Sequence, residues 1–199
     1  MGRGGRSVKA ILWLTLAALL AAVLPPARAQ ELTAPENNVK AAFLYNFTKL
    51  VEWPAGTFAR TNSPIVIGVL GRDPFGAALD RIVDGKHISG RPVNIVRFNR
   101  RPEPNDCHVL FISDSERTRV GEILAPFGKL PVLTVSDLDD FAKHGGIIGL
   151  VKRDERLQFE VNTNVARKAG LVLSSQLLRL ARIVNANKPN ANKPVPPRL

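Results

Sequence analysis

The stretch Ile65-Val66-Ile67-Gly68-Val69-Leu70, entered through Pro64 and left through Gly71, constrains this chain more than any other. It is rich in β-branched residues and holds no polar side chain, so it cannot turn one face to water and the other to a core. A run of this kind is a strand covered on both faces, as strands are inside parallel sheets. Cys107-His108-Val109-Leu110-Phe111-Ile112 reads as a second buried strand, and Leu130 to Val135 as another. Val93 to Phe98 alternates in part and suits a place nearer a sheet edge. Arg72-Asp73-Pro74-Phe75-Gly76 is a turn, and Ala77 to Val83 a short helix. Strands alternating with helices predict a single three-layer α/β domain, with a mostly parallel sheet of about six strands and helices on both faces.

Other segments fill in that plan. From Asn37 to Val51, Val39, Phe43, Phe47 and Leu50 recur at helical spacing, and Trp53-Pro54 ends the run because proline disfavours helical geometry in the residue before it. Ser113 and Glu116 form a capping-box pattern opening a helix over Ser115 to Leu124. Ser136 is placed to cap a short helix over Leu138 to Lys143. Ile147 to Val151 and Leu157 to Val161 predict a hairpin across Lys152 to Arg156, the one antiparallel element. Asn162 caps a long final helix to about Asn185, with Val165, Ala169, Val172, Leu173, Gln176, Leu177, Leu180 and Val184 on a wide apolar stripe. Leu171 and Leu178 fall off that stripe. The excess fits either a helix enclosed by its own domain or one that meets an oligomer or partner.

The two ends of the 199-residue chain differ from its middle. Met1 to Lys9 carries Arg3, Arg6 and Lys9 without an acid, and Ala10 to Leu24 has Thr15 as its one polar residue. Pro25-Pro26 and then Ala27-Arg28-Ala29 complete the pattern of an export signal over residues 1–29, cut after Ala29. The apolar run is shorter than the roughly twenty residues a spanning helix needs. The expected domain covers residues 30–186. Residues 187–199, within which a repeat of Asn-Ala-Asn-Lys-Pro ends, have too little apolar surface to fold and read as a disordered tail.

The formal net charge of +11 is dispersed, with Arg100-Arg101 as the one Arg-Arg doublet after the signal. Nucleic-acid binding would call for a clustered basic stripe with interleaved aromatics, so no nucleic-acid partner is expected. Cys107 is the one cysteine and reads as a small core residue, with an intermolecular disulfide as the alternative. The Gly71 to Gly76 turn matches half of a phosphate loop, but Ala77-Ala78 stand where the Lys and Ser/Thr would hold phosphate and magnesium. Arg72, Asp73 and Phe75 on that turn are the candidate ligand-binding residues, since the loop leaves a buried strand on the usual ligand side of such sheets. His87, His108 and His144 lack metal-ligand spacing, and neither a G-x-S-x-G elbow nor an H-E-x-x-H is present. No catalytic residue, metal or cofactor is expected. Asp137, Asp139 and Asp140 are read as negative charge at a helix start. Phe43, Tyr45 and Trp53 supply aromatic surface for structure or for a partner.

Six segments in order resemble the YfiR family of exported regulators. They are Val39 to Pro54, Ile67 to Gly76, Cys107 to Ser113, Pro131 to Asp137, Gly145 to Ile148 and Ala169 to Leu178. The resemblance implies a periplasmic α/β protein that binds the periplasmic sensor portion of a membrane diguanylate cyclase and lowers cyclic-di-GMP and biofilm output. It also implies possible homodimers, and contact with the inner membrane only through the partner. Relatives carry internal disulfides; a chain with Cys107 alone cannot form one. A reading of a different class, a periplasmic solute-binding protein, would take the Gly71 to Gly76 turn as its ligand loop.

Overall fold

The run of apolar residues from Ile65 to Leu70 becomes a strand buried on both faces near the middle of an eight-stranded sheet. The computed structural model describes residues 33–103 and 105–184. The expected signal with its cut after Ala29, and the expected tail from residue 187, lie outside these residues. From Glu36 the described residues cluster as one compact unit.

In chain order the elements are α1 (Thr33–Lys49), β1 (Val51–Glu52), β2 (Ile65–Leu70), α2 (Ala77–Val83), β3 (His87–Ile88) and β4 (Arg91–Phe98). Then follow β5 (Val109–Ile112), a 3-10 segment (Asp114–Arg119), α3 (Val120–Leu124), β6 (Leu133–Ser136), β7 (Ile148–Arg153) and β8 (Arg156–Val161). The chain continues through α4 (Thr163–Lys168), β9 (Val172–Leu173), α5 (Ser175–Leu180) and β10 (Arg182–Ile183). The large sheet runs β10-β8-β7-β6-β5-β2-β4-β3, and β1 pairs β9 in a small antiparallel sheet. Strands β4, β2, β5, β6 and β7 are parallel; β8 is antiparallel to β7, and β3 to β4. The sheet therefore has eight strands rather than six, the additions being two-residue strands at its edges.

Side chains alternate across the sheet, as a period of two requires. Ile67, Val69, Val109, Phe111 and Val135 point into one core together with Leu44 and Phe47 of α1, Leu79 of α2, Ala166 of α4 and Leu177 of α5. Leu70, Leu110 and Ile112 point into the other, against Ile123 and Leu124 of α3, Phe127, Leu138 and Phe141. This is the expected three-layer arrangement. The hairpin is also as expected: β7 and β8 pair from Ile148↔Val161 to Arg153↔Arg156. Its two turn residues, Asp154 and Glu155, both have positive φ (48° and 57°), as a primed turn needs to match strand twist.

Three local expectations are corrected. The long final helix is broken. Asn162 does cap α4, its side chain accepting from Val165 N–H, but Gly170 takes a left-handed φ of 73° and Val172–Leu173 pair with β1. Ser174 then starts α5 by accepting from Leu177 N–H. The break inverts part of the stripe: Leu171 is buried, whereas Val172 and Leu180 are exposed. The capping box at Ser113 does not form; Ser113 makes no side-chain cap, Glu116 pairs with Arg119, and the segment begins as a 3-10 helix. Residues 138–143 form turns rather than a helix, although Ser136 Oγ does accept from Leu138 N–H at 3.1 Å.

Candidate functional site

In a sheet of this kind the default ligand crevice lies at the carboxyl ends of the strands where the strand order reverses. Here the chain leaves β2 for β3 and β4 on one side and then crosses back to β5 on the other, so that point falls between β2 and β5. The crevice is filled from within. Gly71 has φ 87°, and a Cβ built there would meet Ser115 Oγ as well as Glu116 Cγ and Oε1 at 2.9 Å. Arg72 N–H donates to Ser115 Oγ at 2.9 Å. Glu116 is buried, and its carboxylate pairs with Arg119.

The ligand candidates on the adjoining turn have internal partners. Asp73 accepts from Phe75 N–H at 2.7 Å and from Arg97 Nε at 2.7 Å. Arg97 also reaches Asp80 at 2.7 Å and the Gly76 carbonyl at 3.2 Å. Hydrogen bonds to Asp80 and then Asp73 hold the Arg97 guanidinium above its ordinary pKa. Phe75 is buried, its ring in edge contact with Phe111 at 4.6 Å. Arg72 has an exposed side chain. The three therefore do not converge on a shared open space.

An open space exists at the opposite, amino ends of the strands. Pro64 before β2 and Val66 within it, Cys107 and His108 before β5, and Leu130 to Val132 before β6 line a cleft of about 720 Å³ with the segment from Pro54 to Ala59. Its wall holds an aromatic stack. Phe58 lies on His108 with centroids 4.5 Å apart and planes 12° from parallel. The Arg91 guanidinium sits 3.9 Å from the Phe58 centroid. Trp53 meets both Phe58 (6.1 Å) and His108 (6.4 Å) edge-on. Arg91 also ties the segment to the body by donating to the carbonyls of Arg60 (2.8 Å) and Ser63 (3.0 Å).

The protonation state of this cluster follows from its contacts. Val66 N–H donates to His108 Nδ1 at 3.1 Å, so Nδ1 is an acceptor and a neutral ring carries its proton on Nε2. Burial, and then the charge of Arg91, push the His108 pKa below its ordinary value, which favours that neutral form. Burial, with a smaller contribution from Asp106, pushes the Cys107 thiol up to about 12. The thiol therefore stays protonated and unreactive, consistent with its reading as a core residue. Trp53 Nε1 is buried without a hydrogen-bond partner.

A second cleft, of about 530 Å³, lies beyond the carboxyl end of β6 and is lined mostly by charged residues, with Leu150, Val151 and Leu157 among them. Lys40 bridges Glu36 and Asp137, each at 2.9 Å. Burial works against the Lys40 charge, but hydrogen bonds to Asp137 and Glu36 more than offset it and leave the pKa raised. Buried Glu160 accepts from Arg153 at 2.9 Å and faces Arg182 at 3.6 Å.

Phe43, Tyr45 and Trp53 are each partly buried against the main core. Phe43 packs on Phe47 (5.6 Å) and Phe159 (5.7 Å), and Tyr45 lies under Lys49. Only Trp53 belongs to the cluster beside the open cleft. Sequence reading missed Phe58, Arg91 and His108 as a unit, because residues so far apart in the chain carry no shared spacing signal.

Comparison with known proteins now adds to this geometry. A protein-family model described as YfiR/HmsC-like matches residues 37–182. No curated protein matches the chain. Among solved structures, an ABC domain in complex with L-Trp from Streptococcus pneumonia is similar at a TM-score of 0.50 and 10% identity, covering 74% of this chain. The match takes in 60% of the length of that chain, and a likeness at this identity shows the fold alone.

Proposed function

The chain belongs to the YfiR/HmsC-like family, and from that premise we propose that it is an exported, non-catalytic regulator that docks on the periplasmic part of a membrane diguanylate cyclase and lowers cyclic-di-GMP output. The family match across nearly the whole described domain carries this reading. Export through the signal of residues 1–29, with cleavage after Ala29, is part of it. The chemistry of the domain is in keeping with docking. Its cysteine is buried and protonated, its one imidazole in a cleft is held by a backbone N–H, and its acids near open space are paired with bases.

Apolar surface for docking lies in the C-terminal stretch. Val172, Leu180 and Ile183 are 59%, 69% and 46% exposed. The aromatics of α1 contribute less, because Phe43 and Phe47 turn inward onto Phe159. Deleting the gene in a strand with an active cyclase should raise cyclic-di-GMP and matrix production. Val172→Asp with Leu180→Asp should reproduce the deletion while the purified domain keeps its melting temperature. Unchanged cyclic-di-GMP in the deletion strain would overturn the reading. A variant that behaves like wild type would move the docking surface elsewhere.

A further inference from the structure

The cleft at the amino ends of β2, β5 and β6 differs from the rest of the surface in one respect. Charged residues make up 23% of the chain, yet among the described residues no Asp, Glu, Lys or Arg lines this space. Its volume lies within the range of small-molecule sites. The polar groups that do line it are Thr57, Ser63, Asn105, Cys107 and His108. Arg91, packed on Phe58 in the cleft wall, is committed to two backbone carbonyls and to the face of that ring, so it does not offer a counter-charge. Thr57 Oγ1 donates to the Pro54 carbonyl, which leaves its oxygen as an acceptor.

The aromatic cluster is donor-rich. Neutral His108 carries its proton on Nε2, since Val66 N–H occupies Nδ1, and Trp53 Nε1–H is buried without an acceptor. His108 lines the cleft and Trp53 does not, so the Nε2–H of His108 is the donor offered to a guest's acceptor. A charged guest, by contrast, would lose its hydration with no opposite charge to meet it.

We propose that this cleft is a binding site for an uncharged, planar ring compound bearing a hydrogen-bond acceptor, held against the Phe58–His108 stack. The site is independent of docking on a cyclase, and its failure leaves that reading untouched. The test uses three near-isosteric probes on the full chain at neutral pH: benzamide, benzoate and benzylamine. Binding is followed by calorimetry and by the Trp53 indole N–H and His108 ring resonances. Benzamide should bind at least about tenfold tighter than either charged probe, because only the charged probes must shed hydration without a counter-ion. It should also shift the Trp53 and His108 signals. Phe58→Ala should weaken benzamide binding, whereas Lys40→Ala in the charged cleft should not. If Phe58→Ala fails to fold, the resonance shifts of the wild-type chain decide the matter. Equal binding of the three probes overturns the proposal. So does no binding of benzamide up to about 10 mM, or shifts confined to residues around Asp137.

Discussion

At the carboxyl ends of β2 and β5, Ser115 and Glu116 fill the space above Gly71, whereas the amino ends of β2 and β5, with β6, leave a neutral cleft of about 720 Å³. The first end is the place where α/β sheets ordinarily bind ligands, and it is closed by the chain's own side chains and by salt bridges. The second end carries an aromatic stack, an imidazole that accepts a backbone N–H and, among the described residues, no Asp, Glu, Lys or Arg in its lining. Topology thus marks where a crevice forms, but the residues that follow each strand decide whether it stays open. Ser115 and Glu116 sit one turn past β5 and close it. Pro54 to Ala59 come before β2, and the cleft lies beside them.

The largest expected effect tests the closed end. Gly71→Ala places a side chain at φ 87° and within 2.9 Å of Glu116. Left-handed backbone and steric conflict together should cost about 3 kcal/mol in urea unfolding. A loss below about 1 kcal/mol would mean that Ser115 and Glu116 yield readily, and the contrast between the two ends would weaken.

An intermediate effect belongs to the open end and depends on pH. Burial and Arg91 hold the His108 pKa below its ordinary value, so the unfolded chain takes up that proton first. The His108 contribution is complete above about pH 6.5 and is lost as pH falls below it. Arg91, across Phe58, and Asp106, next to Cys107, are the charged groups nearby. Between pH 7 and pH 5 the wild-type chain should lose stability that His108→Gln does not lose, read as diverging urea midpoints of the two proteins. Parallel stability curves for the two proteins would show that His108 titrates as freely as in the unfolded chain.

The smallest effect returns to the turn after β2. Arg97 pairs with Asp73 and Asp80, but its side chain is 41% exposed. Water screens such pairs, so Arg97→Gln should cost only about 0.5 kcal/mol in the same unfolding assay. A cost several times larger would make the ion pairs, rather than the packing of Gly71 on Ser115 and Glu116, the fastening of that end.

What was legible in the sequence were the elements whose signals are local. The β2 run, the helix Ala77–Val83 and the hairpin of β7 and β8 appear where period and punctuation put them. The final helix misled because its apolar residues fit a helical stripe, while two short-range signals argued otherwise. Gly170 could adopt a left-handed turn and Ser174 could start a new helix, and both do. The pairing of Val172–Leu173 with Val51–Glu52 then outweighs helical propensity. The Ser113 capping box failed for a similar reason, since Glu116 finds Arg119 and a buried place over Gly71. The candidate ligand loop was chosen by position along a strand, which is sound as topology but blind to Ser115. The aromatic cluster was beyond reading, because Trp53, Phe58, Arg91 and His108 meet only after β2, β4 and β5 have paired.

The two outermost strands of the large sheet, His87–Ile88 and Arg182–Ile183, are each two residues long. They cover only Arg91 and Pro92 of β4 and Glu160 and Val161 of β8, so among the described residues Val93 to Phe98 and Arg156 to Phe159 have no strand on their outer side. Those open lengths carry Arg97 and Arg156, and charge on an edge discourages a foreign strand from adding there. A domain built around strands as greasy as β2 and β5 thus guards its borders with arginine rather than by cutting them short.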